Sequence, residues 1–213
     1  MNVSNKQFPF KLYLVLSEEA CIHKHFLQVA EEAVKGGVDV VQLREKNCDT
    51  LVFQQKALKL KELLETYDVP LIINDNLEVA INVNAYGIHV GTSDIPPSKV
   101  AQLWTKTPCI GYSIEDLDQL TTRETAAADY LGISPVFKTS TKTDTIIEWG
   151  LEGINKIKSL TDKPLVAIGN MNAKNVQEVI QAGADCIAVV SAICASAHPV
   201  KAAEQLRNEI EKA

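Results

Sequence analysis

No uninterrupted apolar run in this 213-residue chain approaches the ~18–20 residues that a membrane helix requires. The first ten residues lack a charged segment followed by an apolar one, so 1–10 read as a short tail or strap and not as an export signal. Paired cysteines are also missing. Five are scattered at positions 21, 48, 109, 186 and 194, none in a CxxC pair, which argues against a disulfide framework. Cys109, Cys186 and Cys194 lie in apolar runs, as free buried thiols do. Together these absences predict a cytoplasmic protein without a membrane partner. Positive charge is not in excess either: the net charge is −6 and no basic run occurs, which excludes a general nucleic-acid binder. An anionic ligand stays compatible if cations are focused in one cleft. His23, His25 and His198 have no metal-ligand spacing, and Ser113 and Ser191 have no histidine placed for a hydrolase triad. There is no linker or low-complexity stretch, so 1–213 reads as one domain.

What the chain does have is regular alternation. Apolar strand-like runs fall at 11–16, 38–43, 71–73, 86–90, 109–112, 130–136, 165–168 and 186–190. Between them lie segments of helical periodicity. Phe26, Val29, Ala30 and Ala33 share one face before Gly36-Gly37 end the first helix. Asp49 precedes a second, with Phe53, Ala57, Leu60 and Leu64 aligned. Further helices are predicted at about 77–83, from Pro96-Pro97 to 104, at 115–127, at 147–159, after Asn172, and along Ala203, Leu206 and Ile210. Near-continuous apolar strands alternating with helices imply a parallel sheet covered on both faces. Eight such units close most simply into an α/β single-domain (β/α)8 TIM barrel. An open doubly wound sheet is the second choice, weakened because no GxGxxG follows the first strand.

In such a barrel the carboxyl ends of the strands share one rim. Strand two delivers Gln42, Arg44 and Lys46, strand three Asn74 and Asp75, strand four Asp94, and strand five Ser113. Strand six leads into Phe137-Lys138-Thr139-Ser140-Thr141-Lys142-Thr143-Asp144, whose hydroxyls and ammonium groups suit phosphate oxygens. Strands seven and eight end in Gly169-Asn170 and Val190-Ser191, where backbone N–H groups can hold a monophosphate. Asp75 and Asp94 end adjacent strands. They fit Mg²⁺ ligands beside a polyphosphate, an acid/base pair, or two helix caps. Arg44 and Lys46 fit phosphate binding or salt bridges with neighbours such as Glu45. His89, inside strand four, reads as barrel filling before it reads as a base. Trp104 and Trp149 read as packing residues.

Taken in order, Gln42-Leu43-Arg44-Glu45-Lys46, Ile73-Asn74-Asp75, Gly87-Ile88-His89-Val90-Gly91 with Asp94, Gly111-Tyr112-Ser113, Pro135-Val136-Phe137 with Thr139-Ser140-Thr141-Lys142, and Val189-Val190-Ser191-Ala192-Ile193 resemble the thiamine-phosphate synthase family over nearly the whole chain. The resemblance implies a transferase of thiamine biosynthesis. It would join a hydroxymethylpyrimidine diphosphate to a thiazole phosphate, with pyrophosphate release and Mg²⁺ as cofactor. By that carry-over Arg44, Lys46, Lys142 and Ser113 are the catalytic set. Gln42, Leu43, Arg44, Glu45, Lys46, Asn74, Ser113 and Lys142 contact the pyrimidine diphosphate. Thr139, Ser140, Thr141, Gly169, Asn170, Val190 and Ser191 surround the thiazole phosphate, and Asp75 and Asp94 hold the metal. A loop at 138–145 would close over the diphosphate. The chain departs from the family pattern at Thr92, Glu115, Ser134 and Asn170, where glutamine, histidine, glycine and glycine are usual. The thiazole tautomerases, a non-catalytic precursor-binding paralogue and a sugar-phosphate barrel enzyme are the alternatives. A homo-oligomer is compatible with the sequence.

Overall fold

A computed structural model describes residues 8–138 and 148–213. Its sheet is a closed barrel of eight parallel strands in chain order. They are β1 (Leu12–Leu16), β2 (Val40–Leu43), β3 (Leu71–Asn74), β4 (Gly87–Val90), β5 (Cys109–Ile114), β6 (Tyr130–Ile133), β7 (Leu165–Ile168) and β8 (Cys186–Val189). Closure comes from β1 pairing with β8, Leu14 opposite Val189. The open-sheet alternative is thereby excluded.

The strands sort their side chains with a period of two. Leu12, Leu14 and Leu16 face the helical layer, while Tyr13 and Val15 turn into the barrel. The interior packs Tyr13, Val15, Val40, Ile72, Cys109, Tyr130, Val166, Cys186 and Ala188. Phe8 stops its lower end, with its ring 4.3 Å from that of Tyr130. Of the stretch 1–10, expected as a tail or strap, only residues 8–10 are described, and there Phe8 acts as an aromatic plug. The outer layer is the main core, where each fully buried leucine or isoleucine contributes roughly 1.5–3 kcal/mol.

The helices are α1 (Phe26–Lys35), α2 (Thr50–Glu65), α3 (Leu77–Asn82), α4 (Pro97–Leu103), α5 (Arg123–Ala127), α6 (Gly150–Lys158), α7 (Val176–Gln181), α8 (Ser191–Cys194) and α9 (Pro199–Glu211). Asp49 caps α2 as expected, its Oδ1 accepting from Leu51 N at 2.9 Å. The single helix expected over 115–127 is divided. Asp116 forms a capping box with Gln119 and starts a 3₁₀ turn (Leu117–Thr121), and Thr122 then caps α5 afresh. Asn172 does not cap α7, which begins at Val176. Its Oδ1 accepts instead from Lys174 N at 3.0 Å, in the turn ahead of the helix.

At the lower rim one device repeats. Asp39, Asp129 and Asp185 stand just before β2, β6 and β8. Each accepts from the backbone of the preceding strand: Leu12 N (2.9 Å), Ile110 N (2.7 Å) and Leu165 N (2.9 Å). These bonds satisfy strand-entry N–H groups that lack ladder partners, and they belong to stability rather than chemistry.

Candidate active site

At the opposite rim the strand ends enclose a cavity of about 550 Å³. Gln42, Arg44, Lys46, Asn74, Asp75, Asp94, Ser113, Gly169, Asn170, Val190 and Ser191 all line it. Six strands and the turns after them thus bring together residues up to 149 positions apart in the chain. Thr139, Ser140, Thr141 and Lys142, with most of the loop 138–145, lie outside the described residues.

The acidic corner is built by a tight turn after β3. Asp75 has φ +60°, a left-handed conformation that aspartate tolerates better than most residues. Its N–H donates to His89 O at 2.9 Å, and Asn76 N donates to Asn74 O at 2.7 Å. From the next loop Asp94 is held by Gly91 N, which donates to its Oδ2 at 2.8 Å. The two carboxyl groups are close enough to interact electrostatically. Burial, then the neighbouring Asp94, pushes Asp75 up to about 7. The Asn74 amide and the Arg44 guanidinium pull it part of the way back. A divalent cation would relieve that repulsion. The donor set is only two carboxylates, since no cluster of three or more His, Cys, Asp or Glu side chains suited to a metal occurs among the described residues. That fits a hard cation which keeps waters and takes ligand phosphate oxygens, and it does not fit an all-protein cage.

Two residues of the 42–46 stretch turn away from the cavity. Leu43 is fully buried in the outer core. Glu45 accepts from Lys56 Nζ at 2.6 Å and from Glu18 N at 2.8 Å. Lys56 also meets Glu18 at 2.7 Å, so this network pins the turn that carries Arg44 and Lys46. Any ligand contact from Leu43 would come from its backbone.

The seven/eight side is shaped by backbone. A Cβ on Gly169 (φ +116°) would come within 2.7 Å of Pro135 Cβ and 2.9 Å of Val136 N, so no other residue fits without a shift. Asn170 takes φ +54° where the family usually has glycine. Its carbonyl accepts from Asn172 Nδ2 (3.1 Å) and Asn175 Nδ2 (3.0 Å), which ties the peptide down. Asparagine thus supplies the left-handed turn expected of the glycine. Val190 leads into the one-turn helix α8, which sequence periodicity could not reveal at four residues. Two other departures from the family pattern meet each other: Thr92 Oγ1 donates to Glu115 Oε2 at 2.9 Å across the β4 and β5 loops.

His89 lines the cavity and is not isolated barrel filling. Its Nδ1 lies 3.0 Å from Tyr130 Oη and its Nε2 2.9 Å from Ser113 Oγ. Gln42 Nε2 donates to Tyr13 Oη at 2.7 Å, and the two tyrosine hydroxyls are 3.0 Å apart. Sequence reading missed this connection because its members come from five strands. The only signal was a pair of glycines, Gly111 and Gly132, inside otherwise bulky strands.

The sequence profile of the family described as thiamine monophosphate synthase matches residues 12–193. A thiamine-phosphate synthase of Albidiferax ferrireducens is 44% identical over 201 residues, covering 94% of this chain and 92% of that relative. One from Clostridium acetobutylicum is 41% identical, covering 97% of both. Among solved structures, the thiamine phosphate pyrophosphorylase of Pyrococcus furiosus superposes with a TM-score of 0.86 at 33% identity, over 96% of each chain.

Proposed function

Because the chain belongs to the thiamine monophosphate synthase family, a family of transferases, we propose that it joins hydroxymethylpyrimidine diphosphate to thiazole phosphate, or to its carboxylated form with loss of carbon dioxide, giving thiamine phosphate and pyrophosphate with the help of Mg²⁺. The observation that carries this reading is the meeting of Arg44, Lys46, Asp75 and Asp94 in one cavity with Gln42, Asn74 and Ser113 beside them. Cations and carboxylates in one pocket suit a diphosphate with its metal better than either charge alone.

In the proposed reaction the bond from the pyrimidine methylene carbon to the diphosphate oxygen breaks, and its electron pair leaves with pyrophosphate. The ring amino group delocalises the positive charge. The thiazole nitrogen then donates its lone pair to the methylene carbon, and no protein nucleophile takes part. Arg44 grips the leaving phosphate with its fork and Lys46 adds a point charge, both in place before charge develops. Asp75 and Asp94 would hold Mg²⁺, which would supply charge neutralisation to the departing oxygens. Gln42, Asn74 and Ser113 orient the pyrimidine. The turn at Gly169-Asn170 and the start of α8 hold the thiazole phosphate through backbone N–H groups. The packed barrel interior closes the cavity from below, so water can reach the cation only from the rim.

The test is to incubate both precursors with and without Mg²⁺ and to follow thiamine phosphate and pyrophosphate. Both products should appear, and only with both precursors and the metal. Binding without pyrophosphate release would mark a non-catalytic paralogue. Conversion of the thiazole alone would mark a tautomerase.

A further inference from the structure

We propose that His89 and Tyr130 are positioning residues, joining Gln42 to Ser113 in a one-way hydrogen-bond chain that makes the Ser113 hydroxyl a donor to the ligand. The proposal rests on the reading above that Gln42 and Ser113 face the substrate.

The direction follows from counting protons. The amide nitrogen of Gln42 has hydrogens and no lone pair to offer, so it donates to Tyr13 Oη. Tyr13 has a single hydroxyl proton. The Gln42 nitrogen cannot accept that proton, so we assign it to Tyr130 Oη, 3.0 Å away. Tyr130 in turn has one proton, and its remaining partner in the chain is His89 Nδ1 at 3.0 Å. Nδ1 is therefore the acceptor nitrogen of the imidazole, and Nε2 carries the hydrogen. Nε2–H donates to Ser113 Oγ at 2.9 Å. The serine oxygen is thus engaged as an acceptor, and its own proton is left for an acceptor atom in the cavity that Ser113 lines. Burial holds both tyrosines far above their ordinary value, so each keeps the proton that the chain requires.

The barrel is shaped to hold this chain. His89, Gly111 and Tyr130 lie side by side in register on β4, β5 and β6. Any side chain at Gly111 would overlap the Tyr130 ring and hydroxyl and His89 Nδ1. A Cβ on Gly132, opposite Ser113, would come within 3.0 Å of His89 Cε1 and 3.4 Å of Ser113 Oγ. Two missing side chains thus let an imidazole and a phenol meet across a strand. Tyr13 and Tyr130 are almost fully enclosed, so the middle links of the chain, from Gln42 to Tyr130, are shielded from competing water. The chemistry selected at Ser113 is a ligand with a hydrogen-bond acceptor, such as an unprotonated ring nitrogen.

Two measurements test this. The first is histidine nitrogen NMR on the intact, ligand-free protein, with the His89 signals assigned by their loss in His89→Asn. The expected state is Nε2–H with a bare Nδ1. A bare Nε2, or a doubly protonated ring at neutral pH, overturns the proposal whatever the enzyme catalyses. The second is a double-mutant cycle on kcat/KM with Tyr130→Phe and Ser113→Ala. Each single change should lower kcat/KM by about tenfold, the scale of one hydrogen bond. The pair should lose little more than Ser113→Ala alone, because without the chain the hydroxyl is no longer directed. Fully additive losses would show Tyr130 to be merely structural. If Tyr130→Phe does not fold, the tautomer in the unaltered protein decides alone, and inactivity with the Nε2–H tautomer present would count against the synthase reading and not against the chain.

Discussion

Asp75→Asn should make the protein more stable and useless as a catalyst at the same time. Asp75 is lifted from 3.8 to about 7 by burial and by Asp94. At about 1.36 kcal/mol per pH unit, an unscreened shift of that size corresponds to roughly 4 kcal/mol. The side chain is only half-buried and borders an open cavity, so screening reduces this to about 1–2 kcal/mol. For a carboxyl whose folded-state value is raised, the associated stability is fully present below the unfolded value near 4. It is lost as pH rises through about 7. Asparagine has no proton to lose, and it accepts the left-handed backbone at φ +60°. Variant and parent should therefore unfold alike only at about pH 4 and below, and diverge as pH rises from there. At pH 8 the variant should be ahead by about 1–2 kcal/mol, or about 2–4 °C in Tm per kcal/mol. Urea unfolding at the two pH values in the presence of a chelator measures the difference. An Asn variant no more stable than its parent at pH 8, or a difference independent of pH, would refute the reasoning. Adding Mg²⁺ should stabilise the parent at pH 8 and leave the variant nearly unchanged.

Arg44→Lys keeps the charge but loses the fork, and kcat/KM should fall at least tenfold, or about 1.4 kcal/mol, in a pyrophosphate-release assay. Lys142→Ala should lower kcat/KM by about 10² with an unchanged Tm, as expected for a group acting on the leaving phosphate; near-normal turnover would remove it from the catalytic set. Gly111→Ala places a methyl group into Tyr130 and His89 and should cost about 1–3 kcal/mol in urea unfolding. Glu45→Gln weakens the Lys56–Glu45 pair beneath Arg44. It should raise KM more than it lowers kcat, by a few-fold, in steady-state kinetics.

The barrel was legible because its signals are local. Periodicity, Gly36-Gly37, Asp49 and Pro96-Pro97 each act within a few residues of themselves. The rim then followed from topology alone, since parallel closure sends every strand's carboxyl end to one side. Side-chain direction was less accessible. Glu45 sits between two cavity cations in sequence, yet it faces Lys56, and only the turn's backbone decides that. The break at Asp116 was missed because a 3₁₀ turn and a short helix add up to one helical period pattern. His89 was rightly placed inside the barrel, but its partners Ser113 and Tyr130 are 24 and 41 residues away. No window of sequence contains them. Asn170 shows the opposite case, where the positive φ is one that asparagine tolerates better than most residues, so the residue type itself is compatible with the turn.

The pairing of β1 with β8 has a further consequence for assembly. A sheet that closes on itself offers no row of unpaired backbone groups to a neighbour, so strand-by-strand growth into larger aggregates has no template here. Copies of this chain that associate would meet through side chains on helices and loops and not by strand pairing. There the chemistry of recognition is carried by side chains such as Leu51, Val52 and Leu58 on α2, which face outward.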